Sequence, residues 1–125
     1  MKSKLISALF FSFTMSFAVA GPYTKADYQS NPIFVGEWKD RTAMVERTFR
    51  IIRNDAVRND YNYGIYMKTK FLESGNTSGF QPMYVGSLRG NALKVRTEKG
   101  STNIFYILKD GRLTDNDIYL MQKVK

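Results

Sequence analysis

Tyr61-Asn62-Tyr63-Gly64-Ile65-Tyr66-Met67-Lys68-Thr69-Lys70-Phe71 is the stretch whose reading decides the fold. Every second residue, Tyr61, Tyr63, Ile65, Met67, Thr69 and Phe71, falls on one face, while Asn62, Gly64, Tyr66, Lys68 and Lys70 fall on the other. A spacing of two is the mark of a half-buried strand, because successive side chains of an extended chain point to opposite faces. Upstream, Val45 to Arg53 repeats the pattern, with Phe49 and Ile51 alternating with Arg50 and Ile52. Phe34 to Trp38 forms an earlier strand in which Phe34, Gly36 and Trp38 share a face.

Downstream, Met83 to Arg89, Leu93 to Thr97 and Thr102 to Leu108 read as three more strands, separated by glycine-bearing turns at Gly90 and Gly100. Lys109-Asp110-Gly111-Arg112 is a hairpin signal, since Asp-Gly supplies the positive φ angles that tight hairpins need. A short seventh strand around Leu113 and a last one from Ile118 to Val124 follow. No ten-residue stretch carries a helical stripe. Arg41 to Arg50 is the nearest, where Met44, Val45 and Thr48 also fit one helical turn. Eight short strands in which sequential neighbours pair predict an all-β antiparallel meander. Closing it into a small barrel removes the exposed edges, and a two-sheet sandwich is the alternative.

The start of the chain is of another kind. Lys2 and Lys4 precede an apolar run from Leu5 to Phe17 and the triplet Ala18-Val19-Ala20, the layout of a cleavable secretory signal over residues 1–20. The run falls short of the about 20 apolar residues of a membrane-spanning helix. Cleavage predicts a mature start at Gly21 and export to a Gram-negative periplasm or to the medium. Residues 21–32, polar and bounded by Pro22 and Pro32, read as a flexible arm, which leaves 33–125 as a single domain. Removing Lys2 and Lys4 leaves 17 basic residues against 11 acidic ones, a formal +6. Such a balance favours anionic partners. In an exported protein these are acidic proteins or a lipid or lipopolysaccharide surface, and no nucleic acid is expected.

Near the beginning of the domain stands Gly36-Glu37-Trp38, a G-x-W on the first strand. Together with the eight-strand meander and the glycine hairpins, it resembles the lipocalin-like calycins, in particular their short bacterial members. The resemblance implies that Gly36 and Trp38 are structural and that the tryptophan seals one end of the barrel. The arginine that caps this tryptophan in the family has no counterpart, because only Lys123 and Lys125 stand near the end of the last strand.

The chain has no histidine and no cysteine. Ser-His and Cys-His nucleophiles, Cys/His zinc sites and disulfides are thereby excluded. The acids are scattered. Asp110, Asp115 and Asp117 flank a hairpin, where aspartate is a turn former, and their spacing does not match an EF-hand calcium loop. Met44, Met67, Met83 and Met121 are spread one to a strand, as core filling requires rather than a thioether copper site. We expect no catalytic residue, cofactor or metal.

Two features point to binding. Asn59 to Gly64 sets Tyr61 and Tyr63 among Asn, Asp and Gly, a composition found at recognition surfaces. Lys68 and Lys70 on one strand and Lys94 and Arg96 on another, with Arg89 at the adjoining turn, form a basic stripe if they all point outward. A barrel of eight strands holds side chains or one small ligand. The bulk of Trp38, Phe49, Tyr63, Met67 and Phe105 or Tyr106 favours a filled interior. The expected function is therefore an inhibitor or immunity-type protein acting on an exported protein through its surface and loops. A carrier of an apolar ligand, a protein bound to an anionic envelope surface and a weak enzyme are the alternatives.

Overall fold

A computed structural model describes residues 22–57 and 59–125. The expected signal, residues 1–20, lies outside them. Eight antiparallel strands close into one barrel in chain order: β1 (Gly36–Arg41), β2 (Val45–Arg53), β3 (Tyr63–Phe71), β4 (Gln81–Arg89), β5 (Ala92–Arg96), β6 (Thr102–Ile107), β7 (Leu113–Thr114) and β8 (Leu120–Lys123). The meander is thus a barrel and not a sandwich. Closure comes from β1 against β8, with Trp38 opposite Lys123 and Lys39 opposite Gln122. No helix among the described residues is long and apolar enough to cross a membrane.

The alternation of β2 and β3 sets the interior. Phe49 and Ile51 face inward and pair with Met67 and Ile65, while Arg50 and Ile52 face outward opposite Tyr66 and Gly64. The helical turn considered over Arg41 to Arg50 does not form. Instead the Thr42 hydroxyl accepts the Met44 and Val45 amides and turns the chain straight into β2.

Several strand limits differ from the sequence reading, and for three strand starts the local reason is visible. The first strand opens at Gly36 rather than Phe34, because Gly36 sits at φ +143°, where a Cβ would lie 2.5 Å from the Lys125 carbonyl oxygen. The third opens at Tyr63, because the Asn59 side chain accepts the Tyr61 amide and turns the chain just ahead of the strand. The last opens at Leu120, since the Asp115 carboxylate accepts the Asp117 and Tyr119 amides and holds residues 115–119 in a tight loop. In β4, Pro82 has no N–H to donate, and the ladder is displaced there: Tyr84 faces Ile65, Pro82 faces Tyr66, and Met83 is the extra residue of a bulge.

Pro22 to Pro32, expected to be a flexible arm, lies along the barrel. The Tyr28 ring stacks on Tyr106 at 3.9 Å and 3°, and the Gln29 amide donates to the Ile107 carbonyl. Asn116 and the Tyr23 backbone exchange two hydrogen bonds. This run carries the chain to the barrel end where β1 begins. There Phe34 is buried and its carbonyl accepts the Trp38 indole N–H at 2.9 Å. We call this the arm end; the loops 42–44, 72–80, 97–101 and 115–119 lie at the opposite end.

Candidate functional site

Inside the barrel, Phe49 from β2, Tyr84 from β4, Phe105 from β6 and Tyr119 from the β7–β8 loop meet as one cluster. Phe49 lies 4.9 Å from Tyr119 and 5.7 Å from Phe105 between ring centroids, and Tyr84 lies 5.8 Å from Phe105. Ile51, Ile65, Leu93, Val95, Leu113 and Met121 surround it, all buried. Trp38, Phe49, Tyr63 and Phe105 are interior as expected, and Met67 packs against them partly buried. Tyr106 turns outward to the arm.

Trp38 is 1% exposed at the arm end. The Lys123 ammonium stands 5.6 Å from its ring centroid, so a lysine covers the indole where the calycin resemblance called for an arginine.

The far end is closed by polar groups. Arg47 grips Asp40 with two hydrogen bonds, donates to the Ile118 carbonyl and lies 4.7 Å over the Tyr119 ring. Partial burial pulls the Arg47 guanidinium down, but the Asp40 hydrogen bond and charge outweigh it and hold Arg47 charged. Burial, reinforced by the Tyr84 charge and hydrogen bond, pushes the Tyr119 phenol above its ordinary value, while the Arg47 charge opposes this. Asn103 donates to Asp115 at 2.9 Å. Among the described residues no buried side-chain polar atom lacks a partner, so the polar groups of this layer are satisfied by one another and by the backbone. Asp110 pairs with Arg112 in the turn before β7, whereas Asp115 and Asp117 follow that strand. No group of three potential metal ligands occurs among the described residues.

On the outer surface the sequence-predicted binding residues sort differently. Tyr63 is only 8% exposed: it shares the inward parity of Ile65 and pairs with Gly86, so its ring packs in the core and only its edge lines the arm-end cleft. Tyr61 stays at the surface, where the Arg96 guanidinium lies 4.2 Å from its ring centroid. Lys68, Lys70, Lys94 and Arg96 all occupy outward positions, opposite Thr48, Glu46, Ser87 and Val85 respectively. None of the four makes an ion pair among the described residues. They do not form one continuous stripe, because the register sets Arg96 level with Val85 and Gly64, four residues before Lys68. At about 3.3 Å per residue that is a stagger of about 13 Å.

What results is two cation–aromatic groups on either side of an apolar row. In one, Arg50 and Lys68 stand 3.9 and 5.0 Å from the Phe80 ring centroid. In the other, Arg96 covers Tyr61 beside Lys94. Between them, the ladder partners Ile52, Gly64 and Val85 make a strip across β2, β3 and β4, with Ile52 and Val85 exposed. Phe80, Arg50, Ile52 and Val85 were not picked out by the sequence reading. The outward parity of β2 carried the signal for Arg50 and Ile52, but Phe80 sits in a loop whose composition says nothing of where it folds back.

Beside this face, at the arm end, a cleft of ≈ 370 Å³ is lined by Arg53, Asn59, Asn62, Tyr63, Leu88 and Arg89, with Asp60 and Ser87 completing it. Arg89 therefore belongs to this cleft, apart from the four cations it was grouped with. Comparison of the chain with family models, curated proteins and solved structures finds no match. The functional reading accordingly rests on this surface and on the filled interior.

Proposed function

We propose that the chain is an exported, non-enzymatic binding protein of the inhibitor or immunity type, which docks the outer face of β2–β5 on an acidic surface of another exported protein. The observation that carries this reading is the Ile52–Gly64–Val85 row flanked by Arg50, Lys68 and Phe80 on one side and by Arg96, Lys94 and Tyr61 on the other. A small apolar centre with a polar rim, rich in arginine and aromatic side chains, is the anatomy of a protein–protein interface. Arg50 shares its charge with Glu37 at 2.9 Å, but Lys68, Lys94 and Arg96 have no carboxylate partner among the described residues, which leaves their charge to a partner.

The filled aromatic interior speaks against the carrier reading, and the apolar row at the centre of the charge favours a protein surface over a lipid one. The lipocalin-like likeness supports the architecture and supplies no partner.

The test is retrieval of a partner from the cell envelope with the mature protein as bait. Val85→Asp, and Lys68→Glu combined with Lys70→Glu, should each weaken the complex by at least about tenfold, the second mainly at low salt. Vesicles containing phosphatidylglycerol, and lipopolysaccharide, form a parallel arm. Binding to these that depends on the lysines but not on Val85, with no protein retrieved, would instead establish the envelope-surface reading. Saturable stabilisation by one apolar compound would establish the carrier.

A further inference from the structure

The arm-end cleft has a chemistry of its own. Its base is apolar: Tyr63 is held in the core, and Leu88, still 45% exposed, sits opposite Leu93 on the next strand. Its rim is rich in donors. Arg53 and Arg89 contribute two guanidinium groups, and Ser87 accepts the Arg89 Nε–H at 2.9 Å, which leaves the outer nitrogens to face the cleft. The Asn59 side-chain oxygen is taken by the Tyr61 amide, which frees its NH2 group as a donor. Asn62 has no side-chain hydrogen bond among the described residues, so its amide is available as well.

The acceptors that face these donors are weakly held. Arg53 pairs with Asp55, 77% exposed, and Arg89 reaches Asp60, 79% exposed, at 3.6 Å. Ion pairs that open to water contribute almost nothing, so an incoming anion displaces these carboxylates at little cost. Two planar forks and two amides match an oxyanion, and a base of ring and isobutyl carbon matches an apolar body behind it. The volume lies within the range of small-molecule sites and exceeds what a lone inorganic ion needs.

We infer that this cleft is a subsite for a carboxylate carried on a small apolar body, which in the complex is an acidic side chain or chain end of the partner protein. The inference rests on the docking face proposed above and adds to it a pocket in which one partner group is anchored. A side chain seated in a pocket is the kind of contact that concentrates the energy of an interface.

The test uses the full mature chain labelled with nitrogen-15 and the probe benzoylglycine, with its neutral amide and inorganic phosphate as controls. Benzoylglycine should shift the side-chain resonances of Asn59, Asn62, Arg53 and Arg89 saturably in the millimolar range, and its amide should bind at least about tenfold more weakly. Arg53→Gln and Arg89→Gln, made separately so that loss of the Ser87 contact is distinguished from loss of charge, should each reduce the affinity. Equal binding of the neutral amide, tighter binding of phosphate, unchanged affinity in both variants or the lack of any saturable shift would each overturn the inference. Lys68→Glu with Lys70→Glu should leave this titration intact while weakening partner binding. A silent cleft beside an intact complex thus refutes the subsite alone, and a working cleft with no partner refutes the docking face alone.

Discussion

Replacing Trp38 tests the architecture at the point where most of it converges. The indole is 1% exposed, donates to the Phe34 carbonyl at 2.9 Å and is covered by Lys123. A buried aromatic removes about 150–250 Å² from water, which at about 25 cal/mol per Å² is about 4–6 kcal/mol. Truncations of this size measure about 3–5 kcal/mol. The hydrogen bond adds about 1 kcal/mol, more if the Phe34 carbonyl stays buried without a donor. Trp38→Ala should therefore cost about 4–5 kcal/mol, a large part of the about 5–15 kcal/mol that holds a domain together. Trp38→Phe keeps much of the apolar surface and loses the donor, so about 1.5–2.5 kcal/mol is expected, or roughly 6–20 °C in melting temperature for a domain of this size.

Urea unfolding followed by far-ultraviolet circular dichroism measures both variants, and the phenylalanine variant remains informative if the alanine one does not fold. Trp38 is the one tryptophan of the chain, so native fluorescence reports on it alone. Water-like emission from the native protein, or a loss below about 1 kcal/mol for Trp38→Ala, would refute the placement of this residue as the seal of the arm end.

Gly36→Ala should destabilise by about 1–3 kcal/mol in thermal melts, since φ +143° disfavours any side chain and the new Cβ would meet the Lys125 carbonyl. Tyr119, whose phenol burial and Tyr84 raise above its ordinary value, binds its proton more tightly folded than unfolded. Its contribution is whole below the unfolded value of about 10 and is lost as pH rises beyond it. Unfolding at alkaline pH should accordingly be steeper in the wild type than in Tyr119→Phe, read from urea midpoints across pH 9–12. Intact-mass measurement of the protein from whole cells should give a chain beginning at Gly21, and a full-length chain retained in the inner membrane would contradict export.

The barrel was legible wherever one face of a strand is wet and the other dry. In β2 and β3 the alternation of Phe49 and Ile51 with Arg50, and of Ile65 and Met67 with Lys68, carries the register directly, because a slip of one residue would bury the charges. Strand ends were less legible where a side chain competes for the backbone. Asn59, Thr42 and Asp115 each accept amides that a ladder would otherwise use, and the apolar pattern does not record that competition. The contacts of the arm were not legible for a related reason. Its polar composition describes a solvated segment, but Tyr28 and Gln29 find Tyr106 and Ile107 about eighty residues away, and no local pattern encodes such a meeting.

The candidate site divides along the same line. Outward cations were readable from strand parity, and Lys68, Lys70, Lys94 and Arg96 do point outward. Tyr63 was grouped with Tyr61 on loop composition, yet its own parity with Ile65 already placed it indoors, and of the two signals parity prevails because burying a ring outweighs a loop preference. What parity cannot supply is distance across the sheet. The separation of the cations into two groups depends on the stagger between β3 and β5, and the apolar row between them appears only once Ile52, Gly64 and Val85 fall into register. An interface of this kind is a property of pairing between strands, so no pattern read along a single strand contains it.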